Sequence, residues 1–261
     1  MRGRRGFIGV GLAMTALLVG TGALTAVNAM ARRTVQEEHT YAFRGTDLSV
    51  ELAVGEIQIV PSAEDDQITV RRRITYGLRR PAVEERIDGE IFRVRDGQCA
   101  LPASSSCHVH WLVQVPKFLT VNVRTGSGSI SVSGMSGRVH LVSDGGDIKA
   151  VSASGPKLTL LSKEGTVTAQ NISSGQVVAT STNSAVSVTF RTPPNLAFGK
   201  SDLGTVEVVL PPGAETYRIN ANSPEGLRMV TVPDDPGSRR RVDVNSVKGA
   251  VRVLTGSIPG A

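Results

Sequence analysis

Gly128-Ser129-Ile130, Gly146-Asp147-Ile148 and Gly165-Thr166-Val167 are one pattern, Gly-x-(Ile/Val), met three times. Gly204-Thr205-Val206 and Gly249-Ala250-Val251 continue it, and Ser184-Ala185-Val186 fills the gap between. The apolar members at 130, 148, 167, 186 and 206 are spaced 18, 19, 19 and 20 residues apart. A fixed period near twenty residues signals a small unit stacked on itself. The spacing predicts an all-β fold, a single-stranded β-solenoid or β-helix-like array of roughly 18–22-residue units.

Each unit carries two stretches in which apolar and polar residues alternate, as half-buried strands do. Val139/Leu141, Leu158/Leu160, Val177/Ala179 and Leu196/Phe198 exemplify the first stretch, and Ile148/Ala150, Val167/Ala169 and Val186/Val188 the second. Alternate side chains share a face, so both members of a pair are expected to point inward. Met229 is expected between the Val206 and Val251 units. Two residues beyond the first stretch stand Thr125, Ser143, Ser162, Ser181 and Ser246. In a register stack these hydroxyls form a ladder satisfying backbone groups at the corners. They are poor nucleophiles, because none has a neighbouring His and carboxylate.

Outward from the array, residues 41–118 read as an irregular β cap with an inserted loop, 119–256 as the regular array and 257–261 as a tail. End units of a stack are atypical because one face has no neighbour. Leu48, Val50 and Leu52 alternate, Ile68-Thr69-Val70 reads as a strand, and Asp88-Gly89 signals a hairpin. Little or no helix is expected beyond residues 6–31.

Residues 1–31 read as a signal anchor or signal peptide. Arg2, Arg4 and Arg5 precede an uncharged run over 7–30, long enough to span a bilayer as one N-terminal transmembrane helix. The run ends in Ala29-Met30-Ala31, a small-x-small cleavage pattern. A retained single-pass anchor places residues 34–261 outside the cytoplasm, with 32–40 as a juxtamembrane linker. Cleavage near Ala31 with secretion is the alternative, and a short twin-arginine-like start leaves the export route open. Two cysteines, Cys99 and Cys107, in an exported chain suggest a disulfide at the base of a loop.

The formal charge is +6, but outside residues 1–31 the balance is 26 basic against 23 acidic residues. Arg71-Arg72-Arg73, Arg79-Arg80 and Arg239-Arg240-Arg241 are local runs without interleaved aromatics, so no nucleic-acid partner is expected. Arg71, Arg72, Arg73, Arg79, Arg80, His108 and His110 form the candidate interaction surface. Its expected partner is an extended envelope component: a polymer, lipid headgroups or a protein.

No cofactor or metal is expected. Cys99, Cys107, His108 and His110 are zinc-ligand types at a spacing no usual zinc pattern has. Asp144-Gly145-Gly146-Asp147 resembles a calcium turn of β-rolls but does not recur, so it reads as ordinary turn chemistry. Acids such as Asp65-Asp66 and Glu84-Glu85 fall at expected turns rather than as paired carboxylates on strands, so a carbohydrate-active enzyme is disfavoured. The chain therefore reads as a non-enzymatic surface scaffold or adhesin-like binding module. An accessory or sensor of envelope signalling is the second reading.

The stretches Val123-Arg124-Thr125-Gly126-Ser127-Gly128-Ser129-Ile130 and Val244-Asn245-Ser246-Val247-Lys248-Gly249-Ala250-Val251 resemble the bacterial putative-adhesin family of β-strand repeat domains, a family of unknown function. The resemblance covers roughly residues 41–256 and implies a β-solenoid-like fold with no catalytic residues. Residues 71–110 do not map onto the repeat.

Overall fold

A computed structural model describes residues 33–77, 80–96 and 108–256. Among them there is no helix, and none long and apolar enough to cross a membrane. The chain builds two large sheets, one of eleven strands and one of ten.

In the regular array each coil places one strand in the ten-stranded sheet, turns a corner, and places the next in the eleven-stranded sheet. The strands are β8 (Thr120–Ser127) with β9 (Ile130–Ser133), β10 (Val139–Ser143) with β11 (Ile148–Val151), and β12 (Lys157–Ser162) with β13 (Val167–Ile172). β14 (Gln176–Ser181) with β15 (Val186–Phe190) and β16 (Leu196–Ser201) with β17 (Val206–Leu210) follow. Coils stack in parallel register, so Ile130, Ile148, Val167, Val186 and Val206 form one column, as the period predicts. Their side chains are essentially without solvent exposure and interdigitate between the sheets. Parallel strands lie about 4.8 Å apart, so each column is a continuous apolar contact along the stack.

Chain order inverts at both ends. After β17 come β18 (Arg218–Asn222) and β19 (Arg228–Val230), and then β20 (Arg241–Ser246) and β21 (Val251–Thr255). The later pair inserts between β16/β17 and β18/β19. Met229 therefore sits at the outer edge beyond Val251, half-exposed, rather than between Val206 and Val251. A clamp holds the displaced coil: Ile219 N–H donates to Asp234 Oδ1 at 2.8 Å, and Arg218 Nε donates to the Pro236 carbonyl at 2.9 Å.

At the other end, β2 (Asp47–Val54) and β3 (Glu56–Pro61) stack on β8/β9. The region that defied the repeat is then a further coil. β6 (Ile91–Asp96) and β7 (His108–Val115) stack outside β2/β3, and residues 97–107 between them in sequence lie outside the described residues. The proposed Cys99–Cys107 bond and Arg79 lie outside the described residues. Antiparallel strands finish this end: β4 (Gln67–Tyr76) on β7, β1 (Arg33–Ala42) on β4, and β5 (Val83–Asp88) on β6. Two corrections follow. Residues 32–40 are not a structureless linker, because Arg33–Ala42 pairs along the whole of β4. Glu84 and Glu85 stand within β5 rather than in a turn.

A third correction concerns phase. In β16 the inward residues are Ala197, Gly199 and Ser201, while Leu196 and Phe198 face outward. Val206 fills the inner space instead: a Cβ on Gly199 would lie 2.8 Å from Val206 Cγ1.

Candidate binding groove and the two polar systems around it

The corner hydroxyls are consumed by the backbone. Ser162 Oγ accepts the N–H of Gly165 at 2.9 Å and donates to the Gly146 carbonyl of the next coil at 3.0 Å. Ser143, Ser181 and Ser246 repeat the arrangement. Ser201 and Ser223, which the apolar alternation did not point to, are rungs as well. Their signal is Ser-x-x-Gly, in Ser201-Asp202-Leu203-Gly204 and Ser223-Pro224-Glu225-Gly226. Thr125 differs: its Oγ1 is buried and unpartnered among the described residues. The corner glycines permit this closeness, since a Cβ on Gly146 would stand 1.9 Å from the Gly128 carbonyl oxygen. Asp144 pairs with Lys163 at 2.6 Å, and Asp147 Oδ1 accepts the Thr166 N–H at 2.7 Å, so both carboxylates bind the neighbouring coil.

The arginine run of β4 splits between two faces because strand side chains alternate. Arg72 points inward with Val70 and Ile74. It pairs with Glu37 Oε2 at 2.7 Å and with Glu85, and its guanidinium lies 5.8 Å from the Trp111 ring centre. Tyr41 donates to Glu85 Oε2 at 2.6 Å, and His39 Nδ1 lies 3.1 Å from the same atom. Burial and this bond to a carboxylate push the Tyr41 phenol up to about 12. Burial would raise Glu37, but the bonds from Arg72 and Arg80 hold its carboxyl below the usual range. The cluster joins β1 and β4 of one sheet to β5 of the other and closes the core. Arg72 is thus an enclosed structural partner of acids rather than an open contact residue, while Arg80 pairs with Glu37 from the exposed side.

Arg71 and Arg73 face outward, onto a groove of about 490 Å³ across the outer face of the eleven-stranded sheet. Register aligns Gln36, Arg73, His110 and Glu56 in one row, and Glu38, Arg71, Leu112 and Gln58 in the next. Arg71 pairs with Glu38 at 3.0 Å, and His110 Nδ1 with Glu56 Oε2 at 3.1 Å. Arg73 makes no ion pair among the described residues. His108 is exposed on the adjoining row, its ring centre 6.5 Å from that of His110. No cluster of three His, Cys, Asp or Glu able to hold a metal occurs among the described residues. Glu38 and Glu56 stand on strands three spacings apart, about 14 Å, wider than the carboxylate separations of glycoside hydrolysis. The groove offers the unpaired Arg73, two amides and the Arg71–Glu38 and His110–Glu56 pairs around Leu112. That set can recognise a polar or anionic chain but has no nucleophile with a base.

No protein-family model and no curated protein matches the chain. Solved structures do match. A putative cell adhesion protein from Clostridium sporogenes aligns over 86% of this chain and all of its own, at 12% identity and TM-score 0.39. A putative adhesin from Bacteroides fragilis aligns over 85% of this chain and 97% of its own, at 11% identity and TM-score 0.46. One from Parabacteroides merdae aligns over 84% of this chain and 95% of its own, at 12% identity and TM-score 0.41. All three are described as putative adhesins or a putative cell adhesion protein. At such identity the likeness concerns fold, and function rests on this chain's own side chains.

Proposed function

We propose that this chain is a non-enzymatic, adhesin-like binding module displayed outside the cytoplasm, held to the membrane through residues 7–30 when these are retained. The observation that carries the reading is the division of labour among polar groups. The repeated serines are bonded to backbone, whereas Arg73, without an ion pair among the described residues, and the exposed Arg71–Glu38 and His110–Glu56 pairs stand on rigid strands in an outward groove. Arg73, His110, Gln36 and Gln58 would contact an extended polar partner laid across β1, β4, β7 and β3. The first probe is isolated cell-wall material sedimented with the full chain. An R71A/R73A/H110A variant that keeps the parent's melting curve is expected to reduce co-sedimentation at least tenfold. Equal co-sedimentation of parent and variant would overturn the groove as the binding site.

A further inference from the structure

The outer face of the ten-stranded sheet carries a second surface, remote from the groove and independent of its reading. β8, β10, β12, β14 and β16 pair in unbroken parallel register. None of these five strands contains an acidic residue. Their outward positions place Val142 beside Leu161, and Val178 beside Phe198, with Leu196 two residues from Phe198 on the same strand. These five side chains are only half-buried and form one diagonal apolar strip across the face. Three cations lie at the margins of the strip, and on the flanking strands Glu51, paired with Arg95, stands beside Arg124 and Asp243 beside Phe198. Arg124 precedes Val142 in its row, Lys200 closes that row beyond Leu161 and Thr180, and Lys157 stands on the adjacent edge. Arg124 and Lys157 make no ion pair among the described residues, and Lys200 meets only Asp202 at 3.3 Å.

The opposite outer face presents Ser131, Lys149, Thr168, Ser187 and Glu207 in one row. Its next row holds Ser133, Val151 and Gln170 and, beyond a bulge, Thr189, Val209 and Leu254, so over the same coils Val151 stands alone among polar groups and the apolar pair Val209–Leu254 lies further along the stack.

We infer that the outer face of the ten-stranded sheet docks on an anionic lipid surface. An apolar strip with cations at its margins matches the order of a bilayer interface, where aliphatic and aromatic groups meet the acyl boundary and Lys and Arg meet headgroup phosphates. A soluble acidic polymer would find cations only at the margins, separated by the apolar strip. A broad face in straight register also suits a planar partner better than a single chain.

The test uses the full chain with vesicles containing brominated phospholipid, one-third of it anionic. F198W puts an indole on the proposed face, and T168W puts one on the opposite face, each against the constant background of buried Trp111. Bromine quenching of F198W well above that of T168W is expected, lost in neutral vesicles and in 0.5 M salt. Adding R124Q/K157Q/K200Q is expected to weaken docking by about a hundredfold, at roughly fivefold per cation. Unchanged melting of that variant separates docking from folding. Equal quenching of the two indoles, or quenching of F198W that ignores headgroup charge, would overturn the assignment. So would association with soluble polyglutamate without lipid quenching. Failure here leaves the groove reading untouched, since cell-wall co-sedimentation reads the other face.

Discussion

The regular array and the N-terminal cap both bury polar groups, and they do so by opposite means. In the array the coils after β8/β9 carry a serine at the same corner position, bonded to an N–H of its own corner and to a carbonyl of the neighbouring coil. In the cap, Arg72 is enclosed with Glu37 and Glu85, side chain to side chain and without repetition. A stack that continues can satisfy its corners with one repeated residue. A stack that stops must close its core with groups that occur once.

The largest expected effect falls on what both regions share, the apolar column. Ile148→Asp puts a carboxylate at a position 1% exposed and is expected to cost more than about 4 kcal/mol, abolishing cooperative melting. Parent-like melting would mean that the column does not face inward. Next comes the cap. Arg72→Ala leaves the enclosed Glu85 carboxylate without its guanidinium and Glu37 with Arg80 alone, and is expected to cost about 3 kcal/mol in denaturant titration. The R72M/E37L/E85L triple variant should recover most of that loss, because a well-packed apolar cluster replaces an ion cluster at little cost. The depressed Glu37 gives the sign of the pH effect. Its contribution is present above the ordinary glutamate range and is lost as pH falls below it.

Asp96 tests the contact between the two outer coils of the cap. It ends β6 at the corner position and accepts the Ala53 N–H at 2.6 Å. Burial pushes its carboxyl up to about 6. A raised acid favours the folded state only while protonated, so its contribution is full near pH 4 and disappears as pH rises through 6. Partial solvent access limits the effect to about 1–2 kcal/mol. Asp96→Asn should keep the bond, flatten the change in melting temperature between pH 4 and 7, and raise it at pH 7. The smallest effect belongs to Thr125, the corner hydroxyl without partners. Thr125→Val should shift stability by less than about 0.5 kcal/mol, and a loss comparable to that of a true rung would extend the ladder to the first coil of the array.

The array was legible because its forces are periodic. Gly-x-(Ile/Val) marks both the corner and the first inward residue, so register followed from spacing. Phase in β16 was not legible from hydropathy, because Leu196 and Phe198 are larger and more apolar than the Ala197, Gly199 and Ser201 that face the core. The glycine three residues after Ser201 was the better guide. The inverted coil order at both ends left no trace in the period, since a coil added outside or inside its predecessor has the same length. Arg72 was assigned to a surface with its neighbours. Strand alternation puts the middle residue of any such run on the other face, but its partners, Glu37 and Glu85, come from strands that no local pattern brings together. Arg71, Arg73 and His110 do meet in one groove, because β4 and β7 pair in register.

The central claim is that the repeated polar residues build the stack while the aperiodic outward ones bind. The most direct test measures stability and cell-wall co-sedimentation together for Ser162→Ala and for R73A/H110A. Ser162→Ala should lose about 2–3 kcal/mol, from one carbonyl and one N–H left unpaired, with binding per folded molecule unchanged. R73A/H110A should lose binding and keep its stability. Loss of binding in Ser162→Ala at full stability, or parent-like binding in R73A/H110A, would contradict the account.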